Sequence, residues 1–202
     1  MILYYTYITS YTIFSLYCYN IDVLSNPIQA EKGRKIIKYK DSIKIVSFNI
    51  FITTYIAFYL AYTVYEPRKF NILLSVRDLV VSRICSGLLF YWAHRLFHTV
   101  KILQKYHRVH HEFSYPIGMR AAYSHPIDYF FGNLIPFGTV PFLLNTDEYT
   151  MVLMIICGVY ITILQEHSNY KPISSHHFKH HLYFNCNYGM VVLDKLFNTY
   201  RE

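Results

Sequence analysis

Charged residues are scarce in this chain. Asp, Glu, Lys and Arg together make up 15% of its 202 residues, whereas hydrophobic residues reach 53%. An ordinary soluble domain carries about 25% charged residues, so this composition is too apolar for that class. The length is that of one domain, and residues 1–202 are therefore expected to form a single membrane-embedded unit.

Cysteine is rare in this chain, and its amino-terminal segment has no Lys or Arg. The four cysteines are Cys18, Cys85, Cys157 and Cys186. They are far apart and form no CxxC pair, which argues against a zinc ribbon and against a disulfide framework. No Lys or Arg precedes Lys32, and there is no small-residue cleavage site, so the start does not match a secretory signal peptide. Residues 1–25 are expected to form either a further membrane helix or a helix in the membrane interface, where tyrosines are favoured.

Long apolar runs are abundant. Four of them lie at 43–65, 79–93, 127–144 and 149–165. The first run is long enough to cross a hydrocarbon core of about 30 Å, and the third contains Pro136 and Pro141, so we expect it to be broken or re-entrant. Short polar turns join the runs into two hairpins. The pattern predicts an all-α integral membrane protein with four to five membrane helices.

The positive charges indicate the orientation of these helices. A net charge of +7 is compatible with nucleic-acid binding, but the basic residues flank the apolar runs, so we expect membrane topology and no nucleic-acid partner. Segments 26–44, 98–126 and 166–202 hold six, four and four Lys or Arg residues, against three in 66–77 and none in 145–148. The positive-inside rule then places the first three segments in the cytosol.

Histidine is the residue type whose spacing points to chemistry. The eleven histidines include one HxxxH pair, two HxxHH boxes and two single residues between the boxes. The pair is His94 and His98, the boxes are His107, His110 and His111, and His177, His180 and His181, and the single residues are His125 and His167. Positions i, i+3 and i+4 of a helix share one face, so each box is expected to direct its imidazoles at a common spot. Because the boxes lie at cytosolic helix ends, they predict a histidine-rich helical cap.

Ten imidazoles exceed what one metal ion can use. The candidate ligands are His94, His98, His107, His110, His111, His125, His167, His177, His180 and His181, and the eight in the pair and boxes are also the candidate catalytic residues. We expect two metal ions with four or five imidazoles each, of the iron, zinc or copper type. An all-histidine set is neutral, which favours dioxygen activation over hydrolysis. His176 lies out of frame and is expected to be structural or to support a ligand.

Carboxylates and amides are expected to accept the imidazole N–H that points away from the metal. The candidates by sequence position are Glu112, Asp128, Glu166, Asn169 and Asp194.

Several motifs carry a resemblance to a known family. The chain contains W-A-H-R-L-F-H at 92–98, H-R-V-H-H-E-F at 107–113, E-H-S-N-Y at 166–170 and H-H-F-K-H-H at 176–181. These motifs resemble the membrane fatty acid hydroxylase/sterol desaturase superfamily over about residues 27–199. P-I-G-M at 116–119, the following Y-S-H-P and the extra His before the last box are most similar to the 4-methylsterol oxidase branch. Asp128 and Asn198 stand where that branch usually has Glu and Gly.

The resemblance implies a di-iron enzyme of an endoplasmic-reticulum-type membrane. Its iron ions would use O2, with electrons from NAD(P)H through a cytochrome-b5-like donor, to oxidise an unactivated C–H bond of a membrane lipid. For the 4-methylsterol branch, the implied substrate is the 4-methyl group of a sterol precursor, taken stepwise to alcohol, aldehyde and carboxylate. Downstream sterol demethylation enzymes are then implied partners.

Three alternatives remain open at this point. A sterol desaturase or a fatty acid or sphingolipid hydroxylase of the same superfamily would carry the same boxes. A non-catalytic membrane metal-binding or transport protein would place ionisable residues inside the apolar runs, whose only charged residues are Lys44, Arg83 and Asp128. A bis-histidine haem protein needs two to four histidines on separate helices rather than paired boxes.

Overall fold

The computed structural model of the chain describes residues 1–24, 39–168 and 176–202. Of these residues 78% are helical and none lies in a strand, which confirms the all-α prediction. The α-helices are α1 (Ile2–Tyr19), α2 (Tyr39–Phe48), α3 (Thr54–Tyr62), α4 (Ile72–Thr99), α5 (Lys101–His110), α6 (Pro126–Asp128), α7 (Ile135–Leu143), α8 (Glu148–Tyr160), α9 (His176–Tyr183) and α10 (Val191–Leu196).

Short π-helical turns extend or connect these helices. They are Asn20–Leu24, Asn49–Thr53, Tyr129–Leu134 and Ile161–His167. The second joins α2 to α3 and the third joins α6 to α7, so the run around Pro136 and Pro141 is helical and is interrupted by a π-helical turn. Pro136 lies just after the π-helical turn and Pro141 lies inside α7; neither has an N–H to donate to a helical carbonyl. The last π turn ends at His167 and carries that imidazole to the end of α8.

Two helical segments are long and apolar enough to cross a membrane. They are Ser42–Tyr62 and Glu148–His167, of 21 and 20 residues, each with a mean hydropathy of 1.6. Only 33% and 28% of their apolar windows are buried within the protein, whereas the core helix of a soluble protein is mostly buried. A membrane protein is consistent with this exposure. These two segments do not establish the predicted total of four to five membrane helices.

Helix α4 is longer than the predicted run 79–93. Asn71 caps its amino-terminal end: the side-chain oxygen of Asn71 accepts a hydrogen bond from the Leu74 N–H at 3.1 Å, which stabilises the first turn. The helix has 28 residues and ends at Thr99. At about 1.5 Å per residue, the helix carries His94 and His98 far from its capped end.

The two predicted polar turns meet at that capped end. Arg68 pairs with Asp78 and with Asp147, the latter at 3.4 Å, and its backbone N–H donates to the Asn145 carbonyl at 3.1 Å. The Asn145 side chain also accepts from the Glu66 N–H at 3.3 Å. Two hairpins require their turns at one end of the bundle, and the residues that the structure describes satisfy that requirement.

Helix α1 packs into the same bundle rather than standing apart. It lies along α8, and the Tyr11 hydroxyl donates to the Met119 carbonyl at 2.8 Å and accepts from the Ala122 N–H at 2.9 Å. Met119 and Ala122 belong to the 3₁₀ turn Gly118–Ala122. Tyr7 and Tyr129 also share a hydrogen bond of 2.6 Å. The amino-terminal helix is therefore fixed to the segment that follows the box of His107, His110 and His111.

Candidate metal centre

Nine of the ten candidate histidines converge in two groups at one end of the bundle. Group one is His94, His98, His107, His111 and His180, and group two is His110, His167, His177 and His181. Within each group the candidate ligand atoms all lie within 4.8 Å of one another. The grouping agrees with the predicted four or five imidazoles for each of two metal ions.

Each HxxHH box divides between the two groups, which corrects the prediction of one common spot per box. Helix α5 gives His107 and His111 to group one and His110 to group two. Helix α9 does the reverse, giving His180 to group one and its other two box histidines to group two. The reason is helical geometry: residues i and i+4 are about 40° apart around the axis, whereas i+3 and i+4 are about 100° apart.

Neighbouring ring nitrogens within a group lie at closely similar distances. In group one the Nε2–Nε2 distances are 3.1 Å for His94–His107, 3.1 Å for His107–His111, 3.0 Å for His111–His180 and 3.1 Å for His180–His98. In group two they are 3.1 Å for His167–His177 and 3.2 Å for His177–His181. The groups adjoin, since the ring centroids of His111 and His181 are 4.7 Å apart.

The Nδ1 atoms of most of these imidazoles donate to oxygen acceptors. The pairs are His94 to Tyr188 O (2.7 Å), His107 to Asp128 Oδ1 (3.0 Å), His110 to Tyr123 O (3.0 Å), His167 to Thr162 O (2.8 Å), His180 to Cys186 O (2.6 Å) and His181 to Phe113 O (3.3 Å). A carbonyl oxygen can only accept, so the five neutral rings held by carbonyls have their proton on Nδ1 and their lone pair on Nε2.

This arrangement fits a metal cation. Nδ1 of His94 is held by a carbonyl and Nδ1 of His107 by a carboxylate, so when both rings are neutral their Nε2 lone pairs face each other at 3.1 Å with no hydrogen between them. Two such lone pairs repel unless a cation lies between them. Ligands about 2.1 Å from one ion and at right angles to each other are about 3.0 Å apart, close to the distances found. The two groups therefore have the geometry to hold one ion each, and imidazole ligands suit iron.

Burial keeps four of the histidines in the two groups neutral: His110, His111, His180 and His181. Desolvation, followed by the nearby His107, lowers the pKa of His110 to about 4. Desolvation and neighbouring imidazoles hold the pKa values of His111, His180 and His181 well below the usual value. Neutral imidazoles at pH 7 have the free lone pair that metal binding needs.

The tenth candidate, His125, lies outside both groups and is a correction to the predicted set. Its Nδ1 accepts from the Ile127 N–H at 3.2 Å, and its ring lies 4.5 Å from that of Tyr106. It therefore caps the start of α6, which carries Asp128. His176 is also outside the groups: its Nε2 donates to Asp194 Oδ2 at 2.8 Å, in keeping with the structural role predicted for it.

The predicted carboxylate acceptors differ in their contacts. Asp128 accepts directly from His107, and a Cβ at position 132 would lie 2.8 Å from Asp128 Oδ1, so a side chain there would displace this carboxylate. Glu112 instead accepts from the Tyr123 hydroxyl at 2.7 Å. Glu166 accepts from a backbone N–H of α9, and Asn169 is outside the described residues.

Asp194 acts on group one through the loop after α9. Its carboxylate accepts from the backbone N–H groups of Tyr188 and Gly189 at 2.9 and 3.2 Å, and from the Thr199 hydroxyl at 2.7 Å. The carbonyl of Tyr188 in turn accepts from His94. Sequence reasoning missed this use of backbone carbonyls, because every residue has one and no side-chain pattern marks it.

In the described residues, the apolar helices and the two adjoining histidine groups define an all-helical histidine-box protein, and a membrane location is consistent with its two apolar segments. The family model for fatty acid hydroxylase matches residues 79–199. This chain belongs to the fatty acid hydroxylase family. That superfamily is iron-dependent and comprises oxygenases and desaturases.

Relatives of the chain have been named for several lipid reactions. Fatty acid hydroxylase ahd1 of Mycosarcoma maydis is 32% identical over 185 residues, covering 85% of this chain and 48% of that protein. A Dictyostelium discoideum protein named as a candidate methylsterol monooxygenase is 34% identical, covering 60% of this chain and 50% of that protein. The Delta(7)-sterol 5(6)-desaturase of Leptosphaeria maculans is 32% identical, covering 58% and 35%.

The chain spans about half the length, or less, of these curated relatives. No solved structure matches it.

Proposed function

We propose that the chain is a membrane di-iron oxygenase that oxidises an unactivated C–H bond of a lipid. The observation that supports this most is the pair of adjoining all-histidine groups, with Nε2 atoms turned toward one another and six of the nine Nδ1 atoms held by oxygen acceptors. Iron bound there would supply the activation of O2. The chain's own residues fix the tautomer and orientation of the imidazoles and, through burial of the site, limit access of water.

The substrate that we propose is the 4-methyl group of a sterol precursor. The P-I-G-M stretch, the Y-S-H-P step and the extra His176 support this branch, as does the similarity to the Dictyostelium discoideum protein. The alternative is a fatty acid or sphingolipid hydroxylase, which the greater coverage of the Mycosarcoma maydis relative favours. Sterol desaturation is the second alternative reaction that we retain.

A row of aromatic rings connects an exposed apolar surface with group one. Phe137 on α7 is 48% exposed, and its ring stacks on that of Phe90 at 5.0 Å. Phe90 lies 5.1 Å from the His94 ring. We propose that a lipid reaches the site along this side, between α4 and α7, because the path starts on an apolar surface and ends at a candidate ligand.

We further propose that the histidine groups form a cytosolic cap on an endoplasmic-reticulum-type membrane. A cytochrome-b5-like protein carrying electrons from NAD(P)H would meet this face, and sterol demethylation enzymes would take the product. The positive-inside count supports the orientation. A glycosylation acceptor inserted at 145–148 should be modified in the lumen, and a folded chain that stays unmodified would contradict the orientation.

Lipid analysis of a yeast strain lacking its own 4-methylsterol oxidase tests the substrate. Expression of this chain should reduce the accumulated 4-methylsterols, and the His111→Ala variant, which loses a group-one ligand, should not. If sterols are unchanged while hydroxylated fatty acids or sphingolipids appear, the sterol proposal is wrong and the hydroxylase alternative holds. No change in any lipid, with the protein present in the membrane, would argue against an oxygenase.

A further inference from the structure

Phe184 has an unusual backbone conformation for a bulky residue. Four residues other than glycine in the described part of the chain have positive φ: Asn145, Phe184, Asn187 and Asn198. Asparagine tolerates this region, whereas a bulky side chain is strained there. Phe184, with φ 68°, directly follows α9, and its N–H donates to the His180 carbonyl at 2.7 Å. Where a helix is followed by a residue with positive φ, that residue is usually glycine.

The strained residue places its ring against two imidazoles of group one. The Phe184 ring centroid lies 4.5 Å from that of His98 and 4.7 Å from that of His111, with interplanar angles of 66° and 73°. These histidines come from α4 and α5, so the ring bridges two helices at the metal group. Edge-to-face packing of this kind fixes the relative orientation of rings.

The same two imidazoles have no hydrogen-bond acceptor for Nδ1 in the described part of the chain. Nδ1 of His98 and Nδ1 of His111 are buried there without a partner among residues 1–24, 39–168 and 176–202. The other three members of group one have Nδ1 held by the Tyr188 carbonyl, the Asp128 carboxylate or the Cys186 carbonyl. Phe184 therefore contacts the members of group one that no acceptor orients. An aromatic face can also accept a weak N–H contact.

We propose that Phe184 is a positioning residue for group one, whose ring holds His98 and His111 in the place of the missing acceptors. The inference rests on the proposed metal centre. Strained backbone persists where the surrounding structure fixes it, and it often occurs at functional sites. A glycine at 184 would remove the strain but also the ring. Stability of the fold and retention of metal are thus expected to respond differently to substitution at this residue.

Four variants separate the two effects. Phe184→Tyr keeps the ring, Phe184→Leu keeps bulk and backbone strain without the ring, and Phe184→Ala and Phe184→Gly lack both ring and bulk but differ in strain. The measurements are the iron content of the reconstituted full chain under chelator competition and the thermal unfolding midpoint of the metal-free chain. Neither depends on enzymatic turnover.

The proposal predicts that iron retention follows the ring. The Tyr variant should match the wild type, while the Leu, Ala and Gly variants should each hold one of the two ions about 10- to 100-fold more weakly. The Gly variant should unfold about 2–4 °C above the Ala variant, because glycine adopts positive φ without strain. In a His177→Ala background, which lacks a group-two ligand, Phe184→Leu should weaken the remaining ion.

Two results would overturn the proposal. In the first, iron retention across the variants correlates with their unfolding midpoints, and the Gly variant retains more iron than the Leu variant. Phe184 would then act only on the stability of the end of α9, and not on the metal group. If all four variants retain both ions, the ring has no role at the site. A wild-type chain that binds fewer than two ions before any substitution would overturn the proposed metal centre itself, and the inference with it.

Discussion

Replacement of His180 by alanine should abolish lipid oxidation and remove iron from group one. His180 Nε2 lies 3.1 Å from that of His98 and 3.0 Å from that of His111, so it is a neighbour of two other proposed ligands. Its Nδ1 donates to the Cys186 carbonyl at 2.6 Å, which fixes the ring. Loss of such a ligand should lower turnover at least about 100-fold, since even supporting residues often contribute 10- to 100-fold.

The matched control is His176→Ala, on the same helix four residues earlier. His176 lies outside both groups and donates to Asp194. We expect this variant to keep both iron ions and measurable activity, and His125→Ala to do the same. Activity and iron content are measured together with the amount of protein in the membrane. If His176 proves as essential as His180, the assignment of ligands on α9 is wrong.

Replacement of Asp194 by alanine should destabilise the chain strongly. The buried carboxylate accepts from the N–H groups of Tyr188 and Gly189, from the Thr199 hydroxyl and from His176. Removing it leaves these donors without their acceptor, at about 1–3 kcal/mol for each that stays buried. We expect a loss of about 3–5 kcal/mol in the free energy of unfolding, and a displaced Tyr188 carbonyl should weaken the group-one ion.

The effect of Asp194 should also depend on pH. Burial raises the pKa of Asp194, but hydrogen bonds from His176, Thr199 and two backbone N–H groups outweigh it and lower the pKa below the usual value. A carboxylate whose pKa is lower in the folded state than in the unfolded state stabilises the fold at pH values above its unfolded-state pKa. This stabilisation is lost as the pH falls through the folded-state pKa. The difference in unfolding midpoint between wild type and Asp194→Ala should therefore shrink in acid. A difference that is constant from neutral to acidic pH would contradict the ionised carboxylate.

The spacing of the histidines predicted most of the site. Nine of ten candidates converge, because i, i+3 and i+4 spacing restricts where helical side chains point. The sequence did not predict how each box divides, since that depends on how α5 and α9 face each other in space. His125 was misassigned because a histidine next to a proline at a helix start can equally be a cap.

The acceptors around the imidazoles were only partly predictable. Asp128 was found as a carboxylate near the boxes, but the carbonyls of Tyr188, Cys186 and Tyr123 were not. Their role arises from where the backbone passes, and the sequence marks it only indirectly, through residues such as Asp194 that hold a loop. In the fold, helix type was predictable from the apolar runs, whereas the start of α4 required its Asn71 cap.

The iron content of the full chain tests the central claim most directly. The chain is purified in detergent and reconstituted with ferrous iron without oxygen, and iron is then measured by elemental analysis. The two histidine groups predict close to two iron ions per chain, falling to about one when either His180 or His177 is replaced by alanine. A fully active wild-type chain that holds one ion or fewer would contradict the account.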